Sequence, residues 1–396
     1  MSHALAQSVE ILTTALTVAG MGYFVAAFVA ARVFLSTRRA PLAAFAPGVS
    51  ILKSLKGLDP NMIDAFRSHC RQTYFGDYEL LFGVSSLDDP AAAAVYQLRQ
   101  EFPERSIQLV ECPLLLGSNG KVSTLVQLAA RARYGYLLIN DSDITVSPRY
   151  LERVVACFAP ASNAAAKAQR ETGLVTALYR GRAHGTLPSR LESLGIATDF
   201  QAGVLLSRMI EGGLHYGLGS TLAVSRAAIE KIGGLETLVD HLADDYELGA
   251  RIDRAGYRIA LSAEVVETAI PAYSWRGFVN HQLRWARTVR DARPWGYAGL
   301  VFTHGLAWAL LNVLASGVSP VSLWLLTLSF FLRLSLAMTV GAQVLVDHQV
   351  LPNLWLLPFR DLIALAIWTF GFAGNTIVWR GDRFTLKNGK LMKAAE

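Results

Sequence analysis

Charge is what this sequence has least of. Of its 396 residues only 17% are Asp, Glu, Lys or Arg, against 52% hydrophobic, and the mean hydropathy is +0.32. An ordinary soluble enzyme carries about 25% charged residues, so a wholly soluble enzyme is excluded. Cysteine is scarce as well: Cys70, Cys112 and Cys157 stand apart, with no CxxC spacing. Neither a disulfide framework nor a zinc site is encoded, which fits a reducing cytosol. The net charge is +6, but no long basic block and no nucleic-acid motif accompanies it. Nucleic acid is therefore set aside as a partner, and anionic headgroups or a phosphorylated substrate are the cation-seeking partners left. The chain also lacks internal repeats and low-complexity linkers.

The missing charge is concentrated at the two ends. Ile11 to Ala31 is an uncharged run of 21 residues, and about 20 suffice to span a bilayer. The first ten residues contain no Lys or Arg, and the run is too long for the apolar stretch of a signal peptide, so it reads as an anchor. Arg32, Arg38 and Arg39 follow it, which puts the next domain in the cytoplasm by the positive-inside bias. Further apolar segments cover 299–319, 321–346 and 354–379. The tail beyond them carries Arg380, Arg383, Lys387, Lys390 and Lys393. For that tail to be cytoplasmic too, one C-terminal segment must be re-entrant or interfacial, leaving an even number of spans. The expected organisation is an anchor over 1–40, a soluble domain over 41–295 ending in an interfacial helix, membrane helices over 296–380, and a basic cytoplasmic tail over 381–396.

The middle alternates short apolar runs with helical patterns. Strands are expected in GVSILKSLKG (48–57), YELLFGVSS (78–86), SIQLVEC (106–112) and YLLI (136–139). Helices are expected over 61–73, 88–102 and 121–133. This alternation predicts an α/β domain whose mainly parallel sheet has helices on both faces. Ligands in such sheets gather at the C-terminal strand ends. SSLDDP and NDSD both fall there.

Four stretches carry candidate chemistry, and each has a bland reading beside it. Asp141 and Asp143 are either solvated acids at a strand end or ligands for a hard cation shared with substrate phosphates. Asp88 and Asp89 precede Pro90, where a helix N-terminus accounts for acids by itself. Asp244 and Asp245 open another helix and are one acid more than a cap requires. HQLRWARTVRDARPW (281–295) is an interfacial amphipathic helix, or it sets Arg284 on an anionic leaving group and Trp285 against an acceptor. Lys121 in GSNGKVSTL is a solvated helix-start lysine or a phosphate ligand.

In their order along the chain, PGVSILKSLKGLDPNM, SSLDDPA, GSNGKVSTL, NDSDITVSP, ADDYELG and HQLRW resemble the ceramide glucosyltransferase family, glycosyltransferase family 21. Its bacterial relatives, the hopanoid-biosynthesis glycosyltransferases among them, are included in that resemblance. The likeness covers about residues 47–290; LYRGRAHG and SRLESLGIATDF are nearer the bacterial members. It implies a GT-A nucleotide-sugar domain at the cytoplasmic face of a membrane, the bacterial inner membrane for such a relative. It implies that Lys56, Asp88, Asp89, Lys121, Asp141 and Asp244 contact a UDP-sugar, UDP-glucose or UDP-N-acetylglucosamine. Asp141 and Asp143 would hold Mg²⁺ or Mn²⁺, Asp245 would be the general base, and Arg284 and Trp285 would complete the catalytic set. Two positions depart from the family pattern. Aspartate at 143 replaces the glycine of eukaryotic members, and His281 fills the first position of the (Q/R)xxRW motif.

The chemistry implied is one inverting displacement. The metal neutralises the diphosphate, Arg284 stabilises the leaving group, and Asp245 takes a proton from the hydroxyl of a lipid, ceramide or alternatively a hopanoid polyol. A processive polysaccharide synthase shares the (Q/R)xxRW ending but needs more spans than this chain provides. A membrane scaffold whose acids are only helix caps leaves the ordered motifs unexplained.

Overall fold

Seven strands form one sheet in the order β3-β2-β1-β4-β6-β5-β7. They are β1 (Val49–Ser54), β2 (Tyr78–Val84), β3 (Ser106–Glu111), β4 (Tyr136–Ile139), β5 (Thr172–Ala183), β6 (Leu222–Ser225) and β7 (Arg258–Ile270). The computed structural model describes residues 3–38, 43–160, 170–379, 382–387 and 389–393; Arg39 and Arg380 lie outside the described residues. Strands β1 to β4 are mutually parallel, with Val49 opposite both Tyr78 and Tyr136. β6 runs antiparallel to β4 and β5, while β5 and β7 are parallel. The sheet is thus mainly parallel, as expected. Because β6 is reversed, its leading segment Gly219–Thr221 reaches the same rim as the end of β4.

Parallel strands covered on both faces read as near-continuous apolar runs, and β1 does so. Leu52 belongs to one face's core with Leu81, Leu137, Leu125 and Leu128. Val49 and Ile51 belong to the other, with Leu80, Phe82, Leu138, Phe66 and Tyr150. The period of two then places Lys53 on the Ile51 face, inside an apolar layer. The helix read over 88–102 begins at Ala91. Asp89 accepts a hydrogen bond from Ala91 N at 2.9 Å and so stays outside as the capping acid.

Among the described residues, three helices are long and apolar enough to cross a membrane: Ala4–Thr37, Pro320–Val344 and Val350–Gly371. Pro294–Thr303 and Gly305–Ala315 meet at a bend of 58° and add a fourth crossing if the pair counts as one span. The N-terminal helix packs directly on Gly305–Ala315. A Cβ on Gly20 would fall 2.2 Å from the Gly305 Cα, so small residues set this backbone-to-backbone contact. Beside it, the Thr13 and Thr14 hydroxyls donate to Asn312 Oδ1 at 2.9 and 3.0 Å. The apolar run expected to reach residue 379 leaves the helix at Gly371. Gly374 then takes a positive φ of 73°, and Thr376–Trp379 becomes a strand. With Asp382–Lys387 and Lys390–Lys393 it forms a small antiparallel sheet. Ile377, Phe384, Leu386 and Leu391 from this sheet bury Leu242, just ahead of Asp244.

Candidate active site

Asn140, Asp141, Ser142 and Asp143 leave β4 at the C-terminal rim of the sheet. The turn is held from below. Asn140 is buried and donates to Tyr150 Oη at 2.9 Å and to the Ser220 carbonyl, while His69 bonds its Oδ1 at 3.2 Å. Lys53 rises from the apolar layer to donate to the Asp141 carbonyl at 2.9 Å. Burial pulls the Lys53 ammonium down to about 7, against the opposing pull of Asp143 and Asp141. Ser142 Oγ donates to Asp59. Asp143 turns toward β7, where its Oδ2 accepts from Thr268 Oγ1 and from Ala269 N, the latter at 3.0 Å. Burial, then the neighbouring Asp141, raises its pKa.

The Lys121 helix, Gly120–Arg131, meets this turn from one side. Asn119 caps it by accepting from Val122 N at 3.2 Å and donates through Nδ2 to the His241 carbonyl at 2.7 Å. Ser118 N donates to Asp240 Oδ1 at 2.9 Å. The GSNGK loop is thereby tied to the 239–241 segment, which leads into helix Asp244–Arg254. Four acidic and basic groups then converge. Lys121 Nζ lies 2.7 Å from Asp141 Oδ1 and 3.6 Å from Asp244 Oδ2. Burial alone would depress the Lys121 pKa, but Asp141 and Asp244 raise it instead. Burial raises the Asp244 carboxyl, opposed by Lys121. Burial, then the Asp244 charge, pushes Asp245 up to about 6. Gly219 leaves the space in front of it, since a Cβ there would sit 2.9 Å from Asp245 Oδ2.

The remaining sequence candidates occupy the margins. Asp89 accepts from Gly57 N at 3.0 Å as well as from Ala91, so it fastens the end of β1 to the end of β2. Asp88 and Lys56 are exposed on the same rim. Arg284 and Trp285 lie on helix Trp275–Ala292. Trp285 packs against Phe200 with ring centroids 6.1 Å apart and against His281 at 5.1 Å. His281 Nδ1 lies 3.0 Å from Glu192 Oε1, and that carboxylate is only 2% exposed. The imidazole also stacks on Tyr273 at 5.4 Å. Sequence reasoning missed Lys53, whose signal was a lone lysine inside an apolar strand. It also missed Glu192, which reads as an ordinary helix residue and gives no local signal.

Among the described residues no three His, Cys, Asp or Glu side chains converge into a protein-only metal cage. Asp141, half-exposed, leaves open the other mode, in which one or two carboxylates share a cation with substrate phosphates, while Asp143 Oδ2 is bonded to Thr268 and Ala269. The Lys121 ammonium against Asp141 shows that this rim attracts positive charge.

The sequence model of glycosyl transferase family 21 matches residues 12–392. Ceramide glucosyltransferase 3 of Caenorhabditis elegans is 25% identical over 366 residues, 87% of this chain and 73% of that protein. Ceramide glucosyltransferase 1 of the same organism is 23% identical over 363 residues, covering 88% and 74%. Among solved structures, the mannosyltransferase PcManGT from Pyrobaculum calidifontis, in complex with GDP-Man and Mn²⁺, aligns with a TM-score of 0.53 at 19% identity. That alignment covers 92% of this chain and 97% of that one and supports the GT-A fold.

Proposed function

This chain belongs to glycosyltransferase family 21, and on that premise we propose that it moves a hexose from a UDP-sugar to the hydroxyl of a membrane lipid with inversion. The observation that carries the reading is the acid cluster at the sheet rim. There Asp245, at about 6, is a stronger base than an ordinary carboxylate yet still largely ionised at neutral pH. Asp245 accepts the proton of the acceptor hydroxyl as its oxygen bonds to the anomeric carbon. The bond from that carbon to the diphosphate breaks on the opposite face, and its electron pair leaves with UDP. An α-linked donor therefore yields a β-glycoside. Lys121 and Arg284 supply positive charge for the departing diphosphate. A Mg²⁺ or Mn²⁺ ion on Asp141 and Asp143 would add Lewis-acid stabilisation to the same leaving group.

The lipid acceptor is supported by three apolar helices of spanning length and by the ceramide glucosyltransferases to which the chain is similar. Helix Trp275–Ala292 bears Arg284 and Trp285 and leads directly into Pro294–Thr303, which supports an acceptor side next to the membrane.

The test uses membranes containing the protein, UDP-glucose or UDP-N-acetylglucosamine, Mg²⁺ or Mn²⁺, and ceramide offered together with a bacteriohopanepolyol. Products are read by lipid mass spectrometry beside an Asp245→Asn control. The expected product is a β-glycosylated ceramide that disappears in Asp245→Asn while UDP-sugar binding persists. A glycosylated hopanoid alone would move the acceptor assignment to that lipid. Wild-type-like transfer by Asp245→Asn would remove Asp245 as the base.

A further inference from the structure

The chemistry above leaves two ion pairs unused: Arg333–Asp361 between two membrane helices, and Arg360–Asp199 from those helices to the catalytic domain. Helix Leu187–Gly195 passes into a π turn, Ile196–Phe200, before helix Gln201–Ile210 continues. Such turns shift carbonyls out of the α-helical ladder and recur at functional sites. Here the Thr198 carbonyl accepts from Arg333 Nη1 at 2.9 Å, and Thr198 Oγ1 accepts from Nη2 at 3.2 Å. The same guanidinium donates to both oxygens of Asp361, at 2.8 and 2.9 Å. Arg333 and Asp361 are 3% and 7% exposed, on helices Pro320–Ala337 and Leu357–Gly371. Arg360, beside Asp361, reaches Asp199 Oδ2 at 3.5 Å. Gly195 makes room for it, because a Cβ there would lie 2.2 Å from Arg360 Nη2.

A buried ion pair is a poor way to hold two helices together, since apolar residues of similar volume often do so as well or better. Ionisable groups on membrane helices are costly enough to suggest a task. The task is visible at the end of the π turn. Phe200 packs on Tyr179 at 5.8 Å and on Trp285 at 6.1 Å. Tyr179 in turn lies within electrostatic reach of Asp245 and Asp141. A continuous set of contacts therefore runs from Asp361 through Arg333, Thr198 and Phe200 to Trp285.

We propose that Arg333 and Asp361 are positioning residues: by gripping Thr198 they fix the π turn so that Phe200 holds Trp285 in the geometry that acceptor transfer requires. The word transfer rests on the function proposed above; the mechanical link does not. Helix glue is the competing role, and it differs in one respect. An apolar pair can glue the helices, but no apolar side chain donates to the Thr198 carbonyl.

The test is the double variant Arg333→Met/Asp361→Leu of the full chain in detergent, studied by hydrogen-exchange mass spectrometry and by transfer kinetics. Thermal stability is expected to stay close to wild type, and exchange is expected to rise in 196–203 and in 281–288 but not in β1 to β4. The donor KM should hold while kcat falls by about tenfold to 100-fold, the scale of a misplaced reacting group. Wild-type exchange over 281–288 together with wild-type kcat would overturn the proposal. Phe200→Ala leaves the ion pair intact and guards against a double variant that fails to fold. It must reproduce the exchange rise at 281–288, and a wild-type pattern there would overturn the proposal equally. If the wild-type protein transfers no sugar, the proposed function fails, and the exchange measurements alone still decide the mechanical link.

Discussion

Replacing Lys121 by Met removes one positive charge and leaves a side chain of similar length among three acids. In the wild type that ammonium is 2.7 Å from Asp141 and 3.6 Å from Asp244, and it holds the Asp245 pKa down against burial and the Asp244 charge. At 4 Å a unit charge contributes about 4 kcal/mol at an effective dielectric constant of about 20, and about 1 kcal/mol in bulk water. The Asp141 side chain is 44% exposed, so solvent screening favours the lower figure there. Asp244, at 12%, is nearer the upper one. Asp245 lies one residue further along the helix, and about 1 kcal/mol is the share expected for it, somewhat under one pH unit. The sign follows from the charge: Lys121 favours ionised Asp245, so its loss raises that pKa further. The assay is kcat/KM for sugar transfer against pH, with saturating metal. In the wild type the rate should fall as pH drops through about 6. In Lys121→Met that acid limb should move up by nearly a unit, beneath a lower plateau from the lost diphosphate stabilisation. An acid limb that stays in place would refute the coupling of Lys121 to Asp245. A wild-type profile without an acid limb would remove Asp245 as the titrating base.

Asp141→Ala is expected to weaken metal-dependent UDP-sugar binding by at least about tenfold, matching the wild type treated with EDTA in calorimetric titrations. Equal binding by both proteins in Mn²⁺ would exclude Asp141 as a ligand. Gly20→Val forces a Cβ onto the Gly305 backbone, and a loss of about 1–3 kcal/mol should appear as a lower melting temperature in detergent. An unchanged melting temperature would mean the two helices do not cross at that point. His281→Ala leaves the Glu192 carboxylate, 2% exposed, buried without its hydrogen-bond partner, at a cost of about 1–3 kcal/mol. His281→Arg restores a hydrogen-bond donor and should stay nearer the wild type; identical melting of both variants would refute the pairing.

Much of the frame was legible because it follows local rules. Short apolar runs marked β1 to β4, and those of β2 and β4 end in SSLDDP and NDSD. Asp89 was readable as a cap from its place ahead of Pro90, and the structure gives it that bond. The apolar run through Thr376–Trp379 misled, because hydropathy does not separate a helix end from a strand that packs on Leu242. Nothing local to Glu192 signals its partner, since His281 lies 89 residues further on. Nor does the sequence tell that Lys121 faces Asp141 and Asp244, because three loops from distant strands must meet at one rim before that ion pair exists.

The sequence by itself determined the membrane-bound class, through its missing charge, and the alternating α/β order, through its periodicities. It also determined the acidic and basic residue types at the strand ends. These are properties of windows of ten to twenty residues, where hydrophobic burial and backbone geometry act on neighbours. Only the tertiary structure decided that Lys121 meets Asp141 and Asp244, and that burial raises the Asp245 carboxyl. It alone brought the buried Arg333 to the Thr198 carbonyl, in the turn whose Phe200 packs on Trp285. Those outcomes depend on distances of a few ångströms and on exclusion of water, and both arise only when segments far apart in the chain pack together.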